Sequence, residues 1–312
     1  MADSTLHTPE EVAKALKISR FTVYELIKRG DLPAHRIGRS MRIEAVDLER
    51  YILSTKRGES VQLPALPAAA GERRPGDSSE LIICGQDMVL DILSSHLEPR
   101  LRGGRVLRRY VGSIGGLIAL YNRSVNIATA HLWDGDSGEY NVPYVRRYLP
   151  GHRALLVNLV YRNEGFYVTP GNPKNITGWP DLTRPDIRFV NRERGAGARV
   201  LLDEMLRKLD IDFSSITGYA KEEMSHLAVA SCVARGEADV GIGIEKAAMQ
   251  VQKVEFIPLQ KERLDLIMLR HDADKPDFQV LLSILRSADF RKEIAGIGGY
   301  DVSKMGEIIA EV

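Results

Sequence analysis

The spacing of apolar residues changes along this chain and divides it into three parts. In residues 1–54 apolar side chains recur at the three- and four-residue intervals of short amphipathic helices. Residues 55–79 are rich in Pro, Gly, Ala and Ser and have no sustained period, which predicts a linker. In residues 80–312 short apolar runs alternate with helical stretches, which is typical of an α/β domain.

The first part predicts two short helices, a β-hairpin and a third helix. Thr8, followed by Pro9 and Glu11, has the hydroxyl, the proline and the carboxylate of a helix start. Ser19 is expected to cap a second helix that ends near Gly30. Residues 35–43 then predict a two-stranded wing, and residues 44–53 a third helix.

Positive charge is concentrated in this first part. Residues 14–42 carry eight Lys and Arg side chains against two acids, whereas the whole chain has a net charge of only +1. Two short helices joined by a tight turn can set a recognition helix into the major groove of DNA. The predicted DNA contacts are Ser19, Arg20, Thr22, Tyr24 and Lys28 on the second helix and Arg36, Arg39 and Arg42 on the wing. The alternative for such a basic hairpin is a solvated surface or a protein-docking module.

The run SRFTVYELIKRGDLPAHRIGRSMRI, residues 19–43, resembles the winged helix-turn-helix of excisionase-type and MerR-type proteins. The resemblance implies double-stranded DNA as a partner. By that resemblance Arg20 and Thr22 would read bases, while Arg36, Arg39 and Arg42 would hold the phosphate backbone.

Composition excludes several classes of protein. The chain is 44% hydrophobic and 27% charged, and no apolar run approaches the roughly 20 residues of a membrane-spanning helix. The N-terminus lacks the basic-then-apolar layout of a signal peptide. Cys84 and Cys232 are too few for a disulfide framework or a zinc site, and both are expected to be buried thiols. We therefore expect a cytoplasmic protein without a membrane partner.

The third part predicts a parallel α/β sheet. Its strands are expected at residues 81–84, 105–111, 125–130, 154–161, 187–190 and 240–244, and its helices at 88–97, 116–122, 198–209 and 222–235. Small residues join a strand to a helix at 84–87, 112–116 and 191–199. Helix N-termini exposed by such turns bind anions, and in open α/β sheets they lie where ligands bind. None of the three fits a nucleotide-binding motif.

Residues 80 to about 300 resemble the periplasmic-binding-protein-like domain of cytoplasmic regulators and of proteins fused to molybdopterin-biosynthesis enzymes. The motifs are VGSIGGLIAL, AHLWDGDSGEYNVPYV, PGNPKNITGWPDLTRPDIRFVNRERGAGAR, SHLAVASCVARGEADVGIGI and FIPLQKERLDLIM. The domain is related to LysR-type sensor domains and to oxyanion-binding transport proteins. The resemblance implies two α/β lobes, about 80–160 with 265–312 and about 161–264, with a ligand in the cleft between them.

The resemblance makes molybdate or tungstate the first expected ligand, with no other cofactor. Ser113 and the N–H groups of Gly115 and Gly116 would bind it from one lobe. Arg192 and the N–H groups of Gly197 and Ala198 would bind it from the other. Further expected cleft residues are Gln86, Asp87, His131, Tyr140, Asn141 and Arg199. Relatives read GSGTR where residues 195–199 read GAGAR, so an organic or pterin-like anion remains an alternative.

Catalytic signatures are missing from the sequence. It has no nucleophile elbow with a Ser-His-Asp order, no zinc-ligand spacing and no cofactor lysine motif. His226, close to Glu222 and Glu223, is interpreted as a satisfied histidine and not as a metal ligand. The expected function is that of a ligand-responsive transcriptional regulator, dimeric or higher by the symmetry of operators. A non-enzymatic or enzymatic role in molybdenum-cofactor biosynthesis remains the alternative.

Overall fold

The chain folds as two units, one within residues 1–71 and the other within residues 72–312. The computed structural model describes residues 6–29, 32–37, 40–45, 47–48, 51, 80–101 and 104–312. The predicted linker at 55–79 and Arg39 lie outside the described residues. Among the described helices, none has both the length and the apolar character needed to cross a bilayer.

The first unit contains the elements expected of a winged helix-turn-helix. They are β1 (Leu6–His7), α1 (Pro9–Leu16), α2 (Arg20–Arg29), β2 (His35–Ile37) and β3 (Ser40–Glu44). The strands form a small antiparallel sheet in the order β1-β3-β2. Residues 45, 47, 48 and 51 are helical, and the rest of the predicted third helix lies outside the described residues.

The predicted caps of the two helices are confirmed. Thr8 Oγ1 accepts the N–H of Glu11 at 3.2 Å, while the Glu11 carboxylate accepts the N–H of Thr8 at 2.7 Å. Ser19 Oγ accepts the N–H of Thr22 at 3.1 Å at the start of α2. Lys17 ends α1 with a left-handed φ of 55°. Satisfied end groups fix where each helix begins and ends.

A small apolar core holds the first unit together. Its buried members come from both helices, the segment between α2 and β2, the hairpin and the helical residues after it: Val12, Ala13, Val23, Leu26, Leu32, Ile43 and Leu48. Helical spacing predicts that Val12, Ala15 and Leu16 share the inner face of α1. Ala15 is instead exposed and Ala13 is buried, so the inner face is rotated by part of a turn. The side chain of Ile37, expected to face inward, lies outside the described residues.

The second unit is a mixed α/β structure. Its strands are β4 (Glu80–Cys84), β5 (Arg105–Arg109), β6 (Ile127–Ala130), β7 (Ala154–Val168), β8 (Phe189–Arg192), β9 (Glu222–Glu223), β10 (Val240–Ile244), β11 (Glu255–Leu269) and β12 (Ile308–Glu311). Its helices are α3 (Met88–Leu97), α4 (Ser113–Tyr121), α5 (Val142–Tyr148), α6 (Gly197–Lys208), α7 (His226–Ala234), α8 (Glu245–Ala248), α9 (Arg270–Ala273), α10 (Pro276–Arg286) and α11 (Ala288–Ile297). The strand order is β5-β4-β6-β11-β7-β10-β8-β9, with β12 paired to β7.

Two long strands join two lobes. β7 and β11 have 15 residues each and pair antiparallel along nearly their whole length, which is roughly 50 Å at the usual rise per residue. One end of the pair carries β4, β5, β6 and β12, which we call lobe I. The other end carries β8, β9 and β10, which we call lobe II. β7 therefore leads the chain from lobe I into lobe II, and β11 leads it back.

Each lobe buries apolar side chains on both faces of its part of the sheet. In lobe I, α3 and α10 cover one face and α4 and α5 the other, with Leu93 and Leu117 fully buried. In lobe II, α6 covers one face and α7 with α8 the other. Cys84 and Cys232 lie in these cores as free thiols, as expected, and burial raises the pKa of Cys84 to about 11.

The predicted fold class is confirmed, but several elements differ from their sequence-based bounds. The sheet is mixed, because β7, β11 and β12 run antiparallel to their neighbours while β4–β6 and β8–β10 pair in parallel. β7 continues to Val168 instead of ending near Tyr161. Residues 222–223 form β9 beside β8, so the helix expected from 222 begins only at His226, after the Ser225 cap.

Candidate functional site

A small cavity of about 20 Å³ lies where the two lobes meet. Its size is slightly more than that of one water-sized sphere. Its polar lining consists of Gln86, Asp87, Ser113, Thr129 and His131 from lobe I, Arg162 from β7, and Arg192, Gly197 and His226 from lobe II. Three helices, α4, α6 and α7, begin at this cavity, and α3 begins beside it. Their N-termini give the cavity a positive electrostatic character.

Two glycine-containing turns from opposite lobes touch at the cavity. The N–H of Ile114, in the first turn of α4, donates to the carbonyl of Gly195, before α6, at 3.0 Å. A Cβ on Gly112 would come within 3.0 Å of the backbone of Ala196. A further contact across the lobes joins Arg192 Nη2 to Gln86 Oε1 at 3.0 Å. In this structure the lobes are therefore closed on each other.

The imidazole of His131 packs directly against the start of α6. A Cβ on Gly197 would come within 2.5 Å of the ring, so only glycine leaves room for it there. His131 directly follows β6, and its own N–H lies 3.4 Å from Ser113 Oγ. The absence of a side chain at residue 197 thus lets a lobe I histidine meet a lobe II helix N-terminus.

Behind the cavity, buried charges are linked across the long strands. Arg162 on β7 and Glu262 on β11 are paired in register, and the guanidinium of Arg162 donates to both Glu262 and Asp87. His131 Nδ1 lies 2.6 Å from Glu262 Oε2. Asp87 also accepts the hydroxyl of Tyr300 at 3.1 Å. The side chains of Asp87, His131, Arg162 and Glu262 are almost completely buried, so each charge depends on its partner.

The pKa values of two glutamates in this network are shifted in opposite directions. Burial and the negative Glu262 raise the pKa of Glu164 well above its ordinary value. Burial opposes ionisation of Glu262 as well, but Arg162 and His131 hold the pKa of Glu262 well below its ordinary value. The two carboxyl groups therefore favour opposite charge states, with the negative charge on Glu262.

His131, Glu164 and Glu262 are also the candidate metal ligands. They place one ligand atom each within 4.8 Å of the others. However, the Arg162 guanidinium already binds Glu262, and a cation among these atoms would face that second positive charge without solvent to screen it. We interpret the trio as part of the buried charge network and not as a metal site.

Arg192 is held rigidly at the end of β8. Its side chain is 2% exposed, and its Nε and Nη2 bind the Glu193 carboxylate at 2.8 and 2.9 Å. A guanidinium that is already oriented loses little conformational freedom when it binds a ligand. Arg192 is therefore a preorganised donor on the lobe II side.

The structure brings half of the expected cleft residues to the cavity. Gln86, Asp87, Ser113, His131, Arg192 and Gly197 line it. Gly115, Gly116 and Ala198 do not, because α4 and α6 begin earlier than expected. The N–H of Gly116 is taken by the carbonyl of Gly112 at 2.9 Å, and Ala198 lies in the core of lobe II.

The other three expected residues make structural contacts outside the cavity lining. Arg199 pairs with Asp203 at 3.0 Å and stacks on the Tyr219 ring at 4.1 Å. Asn141, with a φ of 66°, accepts the N–H of Leu132 at 2.7 Å. The hydroxyl of Tyr140 bonds to the side chain of Gln260, which lies on β11.

Arg162, Thr129 and His226 line the cavity but were not assigned from the sequence. Arg162 stands in VYRNEG, where a charge interrupts an otherwise apolar strand, and that interruption was the available signal. His226 was interpreted as a satisfied histidine. Instead its Nδ1 is buried without a hydrogen-bond partner among the described residues.

The outer face of α2 carries the candidate DNA contacts. Arg20 pairs with Glu10 and keeps 57% of its side chain exposed, and Tyr24 is 39% exposed. The hydroxyls of Ser19 and Thr22 bond to each other at 2.8 Å. On the wing, Arg42 Nη1 donates to the carbonyl of Met41 at 3.0 Å. The side chains of Lys28 and Arg36 lie outside the described residues.

Phe21 is a further candidate on α2 that was not assigned from the sequence. It is 74% exposed in the first turn of this helix. Apolar side chains in a recognition helix contact the methyl group of thymine. Its position next to Arg20 was the available signal.

Comparison with known families identifies both units. A family described as PBP superfamily domain matches residues 94–286, well over half of the chain. The chain belongs to the PBP superfamily. A helix-turn-helix domain family matches residues 8–56. The protein is thus a helix-turn-helix DNA-binding domain fused to a PBP-like ligand-binding domain, and both matched families are binding families.

One relative and two solved structures illustrate this membership. The uncharacterised protein YvgK of Bacillus subtilis (strain 168) is 42% identical over 311 residues, covering 100% of both chains. The sulfate-binding protein SubI of Mycobacterium tuberculosis H37Rv has a TM-score of 0.53 at 14% identity, covering 71% of this chain and 86% of its own. A putative phosphate ABC transporter substrate-binding protein from Clostridium perfringens, with bound phosphate, has a TM-score of 0.54 at 13% identity, covering 71% and 98%. At these identities the two structures support the PBP fold alone.

Proposed function

We propose that this protein is a ligand-responsive transcriptional regulator, which binds operator DNA through its first unit and a tetrahedral oxyanion through its second. The first ligand we propose is molybdate or tungstate. The proposal places the protein in the cytoplasm, where DNA is present, and makes it a homo-oligomer. Its domains would be 1–54 for DNA binding, 55–79 as a linker and 80–312 for the ligand, with lobe boundaries near 160 and 265.

The convergence of donors on the cavity supports this proposal. Ser113 at the start of α4 and Gly197 at the start of α6 come from opposite lobes, and Arg162 and Arg192 flank the same space. Helix N-termini and guanidinium groups are the donors that proteins use for oxyanions. A ligand between them would contact both lobes at once.

The one carboxylate in the described lining is not free to accept a proton from a bound anion. Among the described residues that line the cavity, Asp87 is the only carboxylate. Its oxygens already accept from Arg162, Tyr300 and the N–H of Val89. Molybdate, tungstate and sulfate are fully deprotonated at neutral pH, whereas hydrogen phosphate brings a proton that needs an acceptor. A hydrogen phosphate would therefore have to donate that proton to His226, whereas the other three anions need donors alone.

Ligand entry would couple the cavity to the DNA-binding unit through lobe movement. A tetrahedral oxyanion needs more room than one water, so the contact from Ile114 to Gly195 must open to admit it. A ligand shifts the equilibrium between arrangements only by its differential affinity for them, typically about 1 to 3 kcal/mol. In an oligomer this difference would change the spacing of paired recognition helices on DNA.

An organic anion is the second candidate ligand, and one observation favours it. A chamber of about 150 Å³ adjoins the cavity and shares Gln86, Asp87 and His226 with it. Its further lining includes the side chains of Met88, Leu227 and Tyr300. An anionic group in the cavity could then extend an apolar or aromatic body into this chamber.

The first test is a thermal-shift series of the full chain with molybdate, tungstate, sulfate and phosphate. An anion at about 100 times its dissociation constant should add roughly 2.7 kcal/mol of stability. Arg192→Ala should abolish the shift. Arg194→Ala is the matched control, because Arg194 lies in the same turn with its side chain 85% exposed.

The second test is DNA affinity on a selected operator with and without the bound anion. We expect a change that Arg192→Ala removes and Arg194→Ala retains. If none of the four oxyanions shifts the melting temperature, or if bound anion leaves DNA affinity unchanged, the proposed function is wrong. A shift with aromatic organic anions alone would favour the second candidate.

A further inference from the structure

His226 is the cavity side chain whose hydrogen bonding is incomplete. It is the first residue of α7, follows the Ser225 cap and is 6% exposed. It lines the cavity, and its Nδ1 has no hydrogen-bond partner among the described residues. Buried polar groups almost always have a partner. An incompletely bonded one in the wall of a candidate ligand cavity indicates a role in binding.

The surrounding strands hold the His226 ring in place without bonding to it. A Cβ on Gly243 of β10 would come within 2.7 Å of Nδ1, so the ring packs closely against that strand. The hydroxyl of Tyr167 lies in the same place but donates to the carbonyl of Ile244 at 2.7 Å. The ring of His131 is 6.1 Å away, centroid to centroid. His226 is thus fixed at the wall of the cavity.

The charged groups around His226 are already paired. Arg192, from β8, binds Glu193. Arg162, from β7, binds Glu262 of β11 and Asp87 before α3, and His131, after β6, also binds Glu262. In the adjoining chamber Lys246 of α8 donates to the carbonyl of Ile297. Burial, with Arg192, Arg162 and His131, holds the pKa of His226 well below its ordinary value, so His226 is neutral.

A divalent oxyanion would bring two negative charges into this balanced and desolvated space. Helix N-termini and arginines already committed to carboxylates compensate such charge only in part. Glu164 lies outside the cavity lining, and His131 already bonds to Glu262, so neither is the free proton acceptor at the wall. His226 lines the cavity, and its Nδ1 has no hydrogen-bond partner among the described residues, so its imidazole can take up a proton.

We propose that an oxyanion binds in this cavity together with one proton taken from solvent, and that His226 holds that proton and donates to the anion. This inference rests on the proposed function and adds a pH-sensitive binding residue to it. The neutral imidazole gains one proton, and the bound pair then consists of an imidazolium and the dianion. A charge-assisted hydrogen bond of this kind is stronger than a neutral one.

The test is isothermal titration calorimetry of the full chain with molybdate, and with sulfate if molybdate does not bind. Titrations at pH 7 in PIPES, HEPES and Tris, whose ionisation enthalpies differ, should show uptake of about one proton per anion. As pH rises from 6.5 to 8, affinity should fall by up to about tenfold per pH unit, as expected for one linked proton. Both anions stay fully ionised across that range, so the dependence reports the protein.

His226→Gln keeps a hydrogen-bond donor but cannot take up a proton. We expect it to bind the anion more weakly, without proton uptake and without the pH dependence. His152→Gln is the control, because His152 is exposed and outside the cavity lining; it should behave as the wild type. Thermal melting of each variant verifies folding.

Binding of molybdate or sulfate by the wild type without proton uptake would overturn the inference and leave the proposed function intact. Undiminished proton uptake by the His226→Gln variant would show that another group takes up the proton, and this result would also overturn the inference. If the wild type binds none of the four oxyanions, the proposed function itself fails, and this inference fails with it.

Discussion

The two units of this protein use arginine in opposite ways. On α2, Arg20 is largely exposed and its contacts are to Glu10 and Tyr24 on the same surface. In the PBP-like unit, Arg162 and Arg192 are 2–3% exposed and each is bound to carboxylates from its surroundings. The exposed arginine is free to follow a DNA backbone or base, and its interactions are screened by salt. The buried arginines are fixed before any ligand arrives.

The two candidate sites place different requirements on their side chains. DNA recognition selects among many sequences and benefits from side chains that can adjust to the groove. An oxyanion is small and symmetrical, so it is recognised by donors held at set positions, which must be buried to exclude water. Each buried arginine requires a carboxylate partner. These carboxylates lie on a strand, directly after a strand and at a helix start of the PBP-like unit, so the position of each arginine depends on the fold.

The largest expected effect is on stability. Arg162→Ala leaves Glu262 and Asp87 buried without their cation and should lower the free energy of unfolding by about 3–5 kcal/mol. Arg20→Ala removes only an exposed ion pair and should leave stability unchanged within error. Urea denaturation of both variants tests the comparison. Equal losses would show that burial does not distinguish the two arginines.

A smaller effect is expected from adding a methyl group at residue 197, beside the His131 ring. Gly197→Ala puts a methyl group within 2.5 Å of the His131 ring and should weaken anion binding at least tenfold, with a loss of about 1–3 kcal/mol in stability. Gly115→Ala is the matched control in the first turn of α4, because its Cβ would lie 3.6 Å from Val111, an ordinary contact. Calorimetry and denaturation measure both. Normal binding by Gly197→Ala would exclude the start of α6 from the site.

The smallest effects on stability are expected at the candidate DNA-binding surface, where substitutions should change DNA binding alone. Arg20→Ala should reduce discrimination between operator and altered sequences by about 5- to 150-fold. Arg42→Ala should weaken binding to all sequences alike and reduce the slope of affinity against salt by about one. Fluorescence anisotropy over a salt series measures both quantities. A uniform loss in Arg20→Ala would reassign that residue to the phosphate backbone.

In the first unit, local signals predicted the helix caps and the wing strands. The caps at Thr8 and Ser19 and the wing strands 35–37 and 40–44 lie where the sequence predicts them, because caps and turns depend on groups within a few residues of each other. The alternation of strands and helices likewise predicted most of the second unit. The bounds were wrong where tertiary contacts decide them, as in β9, where residues 222–223 pair with strand β8.

The candidate site was only partly predictable for the same reason. The two glycine turns near Gly112 and Gly195 were recognised from their composition, and they do meet at the cavity. The second half of β7 was missed because Arg162 and Glu164 are typical of an exposed segment. They are buried only because β11 supplies Glu262, a hundred residues later in the chain.

By itself, the sequence determined the two-unit organisation, the fold class, the helix caps and the glycine turns, since each is set by local conformational preference and hydrophobic pattern. Tertiary structure alone decided which polar groups share the cavity, which glutamate has its pKa raised and why Gly197 must lack a side chain. These properties depend on distances between residues far apart in the chain and on the removal of water around them. No local pattern specifies either quantity.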